Sequence, residues 1–350
     1  MTRVETVVVA GEGFELLVQA AALAEPAWRP TFRGSPAFAR RLLTDEDDEA
    51  ALGTVGRTGW LNLMPLLLAA APDRAERGEQ EPYGVEALLE TVQAMCPRRL
   101  HRVLLGGERR HVTELLGPDL VDRAVAGDAR AGARLREVLT GDAVVVSVTE
   151  QLLSMPSALL HTRVCAGLER WRDRPCVESS DLSGRGLGDL ARTALEQLDQ
   201  LGITGYLERT APGMNYHLSP EDRVALVVCP SAAPIVVVVD DVAVTVMAHA
   251  PARGVRATAP ADRLVALARA VGDETRHRLL EVLGDGERTA AGLTESLSAP
   301  RTTLLHHLAI LRSAGLVEVE AAPGSATVYR LRPDALAELA ALAEGLITRR

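Results

Sequence analysis

Lysine is absent from the 350-residue chain, so all 38 basic residues are arginine. The absence reflects codon bias in a GC-rich genome more than function. Aromatic residues make up only 3%, so Trp28, Trp60 and Trp171 read as core packing rather than as the lining of a ligand pocket. The four cysteines, Cys96, Cys165, Cys176 and Cys229, lie too far apart for a Cys-x-x-Cys zinc or redox motif. They read as reduced thiols in a cytoplasm. No apolar run is long enough to cross a membrane: Val224 to Ala250 is broken by Pro230, Pro234, Asp240 and Asp241. Met1 to Ala10 lacks the pattern of a signal peptide. Catalytic signatures are missing too. There is no Gly-x-Ser-x-Gly, no His-Glu-x-x-His and no defensible Ser/His/Asp order. His101, His111, His161, His217 and His249 read as isolated core or surface histidines.

What remains is ordinary globular composition, 47% apolar and 24% charged, which excludes a wholly disordered or collagen-like chain. The length fits two or three domains. Acidic residues outnumber arginines 47 to 38, a net charge of −9. That balance argues against general coating of nucleic acid but leaves room for a local binding face. Residues 1–260 hold 27 arginines and 35 acids, whereas residues 261–350 hold 11 and 12. The small, Pro-containing stretch Ala250 to Pro260 marks the boundary. The expected domains are an N-terminal α+β domain over 1–250, a linker over 251–260 and a C-terminal domain over 261–350.

The front part mixes periods. Glu5–Ala10 reads as a strand and Glu12–Ala24 as a helix, with further helices over Gly84–Leu100, Leu120–Leu139, Glu150–Trp171 and Leu187–Leu201. Asp142–Thr149 and Arg223–Cys229 read as strands. Ile235 to Met247 reads as a buried hairpin turning at Asp240-Asp241. The acidic run Asp45–Glu49 reads as a solvated loop or helix start. Gly11-Glu-Gly13 lacks the third glycine of a dinucleotide loop and reads as a strand-to-helix turn. Ser183-Gly-Arg-Gly-Leu-Gly188 reads as a flexible loop and helix start.

The last 90 residues are more legible. Helical spacing runs over Asp262–Ala270, Glu274–Leu283, Ala290–Leu297 (with Thr289 as N-cap) and Pro300 to about Ala314, where Gly315 closes the helix. Two strands, Leu316–Glu320 and Ala326–Leu331, flank a Pro323-Gly324 turn. A final helix spans Asp334–Ile347. Short helices followed by a hairpin form a winged helix-turn-helix. In its fourth helix Leu304, Leu308 and Leu311 share the inward face. No acid occurs from Ser296 to Val317, as an approach to phosphates requires.

Val271-Gly-Asp-Glu-Thr-Arg-His-Arg-Leu-Leu280, then Thr302-Thr-Leu-Leu-His-His-Leu-Ala-Ile-Leu-Arg-Ser-Ala-Gly-Leu-Val317, then Val328-Tyr-Arg-Leu331 resemble the ArsR/SmtB family of bacterial winged-helix regulators. The resemblance implies a homodimer that binds double-stranded operator DNA, usually as a repressor. It carries over Arg301, Thr302, Leu305 and His306 as recognition positions, with Leu305 departing from the small polar residue common there. The candidate DNA-binding set adds Thr303, Arg312, and Ser325 and Arg330 of the wing. Arg301 is placed to read bases, Arg312 and Arg330 to hold phosphates. The family's usual metal ligands are missing: Ala290–Leu297 holds no cysteine and Asp334–Ile347 no histidine. Residues 223–231 and 251–254 resemble a subgroup with a long N-terminal domain.

The expectation is therefore an α+β protein: a cytoplasmic, non-enzymatic, homodimeric transcription regulator. It needs no metal or cofactor and no membrane, and its N-terminal domain senses a small-molecule effector or mediates assembly. Two alternatives are an enzyme fused to a DNA-binding module and a protein-interaction adaptor.

Overall fold

Runs of β-branched residues buried on both faces form parallel strands, and that pattern organises the first part of the chain. A computed structural model describes residues 4–25, 42–76, 81–139, 143–174, 184–233, 235–251, 260–322 and 326–348. The strands are β1 (Glu5–Val9), β2 (Met214–Tyr216), β3 (Arg223–Val228), β4 (Val237–Asp240), β5 (Thr245–His249), β6 (Arg288–Thr289), β7 (Val317–Ala321) and β8 (Val328–Leu331). The helices of the front part are α1 (Glu12–Ala24), α2 (Glu46–Leu61), α3 (Met64–Glu76), α4 (Val85–Gln93), α5 (Pro97–Leu104), α6 (Arg110–Leu116), α7 (Leu120–Val125), α8 (Ala129–Leu139), α9 (Ala143–Ser154), α10 (Ser157–Trp171) and α11 (Gly184–Thr210). Then follow α12 (Pro260–Val271), α13 (Glu274–Gly284), α14 (Ala290–Leu297), α15 (Arg301–Ser313) and α16 (Pro333–Thr348). Two compact units result: residues 1–196 with 219–250, and residues 197–218 with 251–350.

The first unit holds a sheet in the order β1-β3-β5-β4, parallel except for β4 against β5. Val224 to Val228 are at most 1% exposed, as a central strand covered on both faces must be. Helix α1 is buried all round: residues 13–23 are all buried, and the two polar side chains among them, Glu15 and Gln19, meet Ser231. It begins against other backbone: the Gly13 N–H donates to the Tyr83 carbonyl at 2.9 Å, and a Cβ on Gly13 would lie 2.8 Å from Gly84 O. The Gly11-Glu-Gly13 sequence is thus a close-packing device at a strand-to-helix turn. The acidic run starts α2. Asp45 caps it by accepting from the Asp48 amide, and the Asp48 side chain is fully buried. Trp60 and Trp171 pack with ring centroids 5.3 Å apart in the same core. Trp28 and Cys176 lie outside the described residues.

Several expectations need correction here. Asp142–Thr149, read as a strand, lies in helix α9 from Ala143 onward. Over 147–154, where burial is described, Thr149 and Leu152 are the buried positions, three apart as in a helix. Three long helices are each two. Met95, Cys96 and Pro97 break the first, Gly127 at φ 92° the second, and Met155-Pro156 the third.

The second unit is built on the cluster Leu267, Leu279, Leu283, Leu293, Leu304, Leu308, Leu311 and Leu316, none more than 3% exposed. Capping fixes its corners. Asp273 accepts from the Arg276 amide at 3.0 Å and Thr289 from the Gly292 amide at 3.2 Å. Gly315 at φ 76° closes α15. Strands β7 and β8 pair antiparallel, and β6 joins β8. Neither β6 nor a fourth strand was expected: β2 pairs in parallel with β7, Asn215 opposite Glu320. Residues 197–218, assigned from sequence to the N-terminal domain, therefore belong with the wing sheet. Gly213 at φ 75° makes this approach, because a Cβ there would sit 3.0 Å from Val317 O.

Candidate nucleic-acid interface

Helix α15 presents little bare surface. Leu304, Leu308 and Leu311 are at most 1% exposed, as the sequence pattern requires. At 100° per residue, His306 and Ser313 lie opposite that stripe, with Thr303 and Ile310 beside them. Thr302 holds the second position of the helix. Leu305 is half-buried and packs on the domain core. That makes it a wall of the helix more than a reader of bases.

The arginines differ in what they already hold. Arg301 opens the helix, half-buried, and makes no ion pair or side-chain hydrogen bond among the described residues. Arg312 is only 7% exposed, and its Nη1 donates to the Pro212 carbonyl at 3.0 Å. Burial holds its guanidinium below the ordinary arginine range. The expected phosphate contact by Arg312 is thus replaced by a structural one: it ties residues 197–218 to the recognition helix. Arg330 is exposed but bridges Glu287 at 2.7 Å and Glu320 at 3.3 Å. Arg332 pairs with Glu318 at 3.0 Å. The described wing strands present offset charges, so Arg330 reaches a phosphate only in competition with two carboxylates. Ser325 falls outside the described residues.

The sequence reading missed what holds α15 at its helical neighbours. Arg276 donates from Nε to Ala270 O at 2.6 Å and from Nη2 to Arg269 O at 2.9 Å, closing the end of α12. The His307 Nδ1 sits 3.6 Å from Asp273 and 3.4 Å from Arg276 Nη1. One Asp-x-x-Arg pair thus caps α13, closes α12 and meets the recognition helix. The signal was present in Asp273-Glu-Thr-Arg276, an N-cap followed by a long cation three residues on. His306 lies edge-on to His307 with centroids 5.3 Å apart. Burial, with His307 and Arg276 adding to it, holds His306 below its ordinary range.

Residues 273–319, from the cap of α13 into β7, match the family model described as bacterial regulatory protein, arsR family. This segment is an ArsR-type helix-turn-helix. No curated protein matches the chain, and no solved structure does. The ArsR-type module is one of DNA binding and transcription regulation. Among the described residues no helix is long and apolar enough to cross a membrane.

Proposed function

We propose that the chain is a cytoplasmic, homodimeric repressor that binds operator DNA and catalyses no reaction, its N-terminal unit serving as sensor of a small-molecule effector. The observation that carries this reading is Arg301 at the entry of an acid-free helix, its guanidinium in no ion pair or side-chain hydrogen bond among the described residues. The positive end of the helix dipole adds to it at the same place. Dimerisation is supported by apolar surface on the terminal helices. Val265 of α12 is 47% exposed and Leu346 of α16 is 64% exposed, with Leu336, Leu339 and Leu342 half-buried between. A second copy would cover that face as an isologous contact.

Selection of bound duplexes from a random library tests the reading. The expected product is a near-palindrome with half-sites about 34 Å apart, or a multiple of that. On that operator Arg301→Ala costs about 1–3 kcal/mol and on scrambled duplex much less, because only a base-reading fork discriminates. Equal losses on both duplexes would make Arg301 a phosphate clamp. A single unpaired half-site would defeat the dimer.

A further inference from the structure

Two cavities in the first unit share one polar wall. The larger, about 210 Å³, lies against Val18 and Ala21 of α1 and against Ile235 to Val238, which lead into β4. The smaller, about 160 Å³, has apolar walls of Val55, Leu105, Val112 and Val148, and Glu25, paired with Arg57, and His111 also line it. Arg57, Thr58 and Arg109 line both. An apolar cavity of about 150 Å³ holds a single aromatic ring, so the smaller one has room for a body of that size.

The two arginines are placed differently. Arg57 is engaged, its Nε 2.8 Å from the buried carboxylate of Glu25. Arg109 is oriented but not neutralised. Its Nε donates to Asn62 Oδ1 at 2.6 Å. Asn62 is itself clamped, donating to Val103 O at 3.0 Å and Leu104 O at 3.3 Å. Among the described residues no carboxylate lies within ion-pair distance of Arg109, and its two terminal nitrogens have no hydrogen-bond partner. Asp240 and Asp241 act on it only at longer range, and Asp240 is already paired with Arg110 at 3.2 Å. Burial draws Arg109 down to about 10, still charged at neutral pH. A buried cation that Asp240 and Asp241 answer only at longer range is costly, and an anion in the cavity would lower that cost. The wall is also shaped. Helix α2 breaks at Gly56, φ 68°, where a Cβ would lie 2.8 Å from Val148 Cγ1.

We infer that the N-terminal unit binds a small carboxylate with an apolar body, the carboxylate on the Arg109 guanidinium and the body among Val55, Leu105, Val112 and Val148. This rests on the sensor reading above only for its regulatory meaning; the binding itself does not depend on DNA. A bidentate guanidinium–carboxylate pair fits a fork whose Nε is already used, through its two terminal nitrogens. Inorganic phosphate would share the charge but leave the apolar walls empty.

Calorimetric titration of the full chain with phenylacetate tests the site, with 2-phenylethanol and inorganic phosphate as controls. Phenylacetate is expected to saturate at one per chain, about tenfold or more tighter than the neutral alcohol. Arg109→Met is expected to abolish that preference. Should Arg109→Met fail to fold, Val148→Phe fills the cavity without touching the charge and is expected to remove binding. Equal affinity for phenylacetate and 2-phenylethanol would overturn the proposal. So would phosphate binding as tightly as phenylacetate, or no binding by any of benzoate, phenylacetate and hexanoate. Saturable binding that leaves operator affinity unchanged would uphold the site and sink only the sensor reading.

Discussion

Replacing Arg312 with alanine separates two accounts of the recognition helix. A phosphate-holding Arg312 would contribute about 0.9 to the slope of log affinity against log salt for each contact, so a dimer would lose about two units. The structure gives it another task. Its guanidinium donates to Pro212 O at 3.0 Å, and its Cγ lies 3.4 Å from where a Cβ of Gly213 would be. Truncation to alanine removes two buried methylenes, about 0.8 kcal/mol each. It also removes a charge-assisted bond of about 1.5–3 kcal/mol, partly offset by no longer burying a cation. The expected net cost is about 2–3 kcal/mol in the stability of the second unit. Urea unfolding followed by circular dichroism reads that cost. Duplex titrations over a salt series, corrected for the folded fraction, should then show an unchanged slope. Arg312→Met keeps the stem and should recover part of the loss in stability, again with no effect on slope. An Arg312→Ala chain of native stability whose salt slope is shallower by one to two units would refute the structural account.

Two further outcomes follow from buried titratable groups. Burial pushes the Asp48 carboxyl up, but the Arg174 guanidinium, the Thr44 amide and hydroxyl and the Trp171 indole outweigh it and hold Asp48 at about 2, down from 3.8. This depressed carboxylate adds stability that is complete above pH 3.8 and is lost as pH falls through 2. Asp48→Asn should therefore cost about 2 kcal/mol at pH 7, a cost that shrinks below pH 3.8 and vanishes below pH 2 in acid-unfolding curves, and a constant difference would contradict the pairing. His306, held low by burial, binds its proton less readily folded than unfolded, so folding stability falls as pH drops below the ordinary histidine range. DNA anions would favour its charged form, so operator affinity should rise over the same drop. His306→Gln should flatten that rise in fluorescence anisotropy titrations, and an equally steep rise in the variant would rule out His306 as its source.

The winged part was legible in the sequence because its corners are local. Thr289, Pro300 and Gly315 are each read within four residues of the element they begin or end. Strands β1 and β3 were legible as strands but not as neighbours. Their pairing, Glu5 with Arg223 to Val9 with Val227, spans more than two hundred residues, and parallel partners carry no turn between them to announce the pairing. The breaks at Pro97, Gly127 and Pro156 were written in the sequence, whereas helical periodicity alone joined the segments across them. The valines of α9 misled for a related reason. Side-chain branching suggests strand, but the spacing of the positions that reach the core decides.

The candidate interface failed to be legible in a more specific way. Sequence shows where charge is, and an acid-free run such as 296–317 correctly marks a face where carboxylates are absent along the helix. It does not show which charges have been spent. Glu287 reaches Arg330 from 43 residues away, and Pro212 reaches Arg312 from 100. Arg301, Arg312 and Arg330 were equivalent as letters, and only the fold distinguishes the one whose guanidinium is uncommitted. The same distinction separates Arg57 from Arg109 in the first unit: two arginines on one cavity wall, one answered by Glu25 at 2.8 Å and one by no carboxylate within ion-pair distance among the described residues. In both units the functional candidate is the cation that no carboxylate among the described residues meets at ion-pair distance. That state persists only where the surrounding structure bears its cost or an outside anion removes it. For Arg301 the anion proposed is DNA, reached in solvent at small cost. For Arg109 it has to be a molecule that also satisfies the apolar walls, which is why the two sites call for different ligands although the residue chemistry is the same.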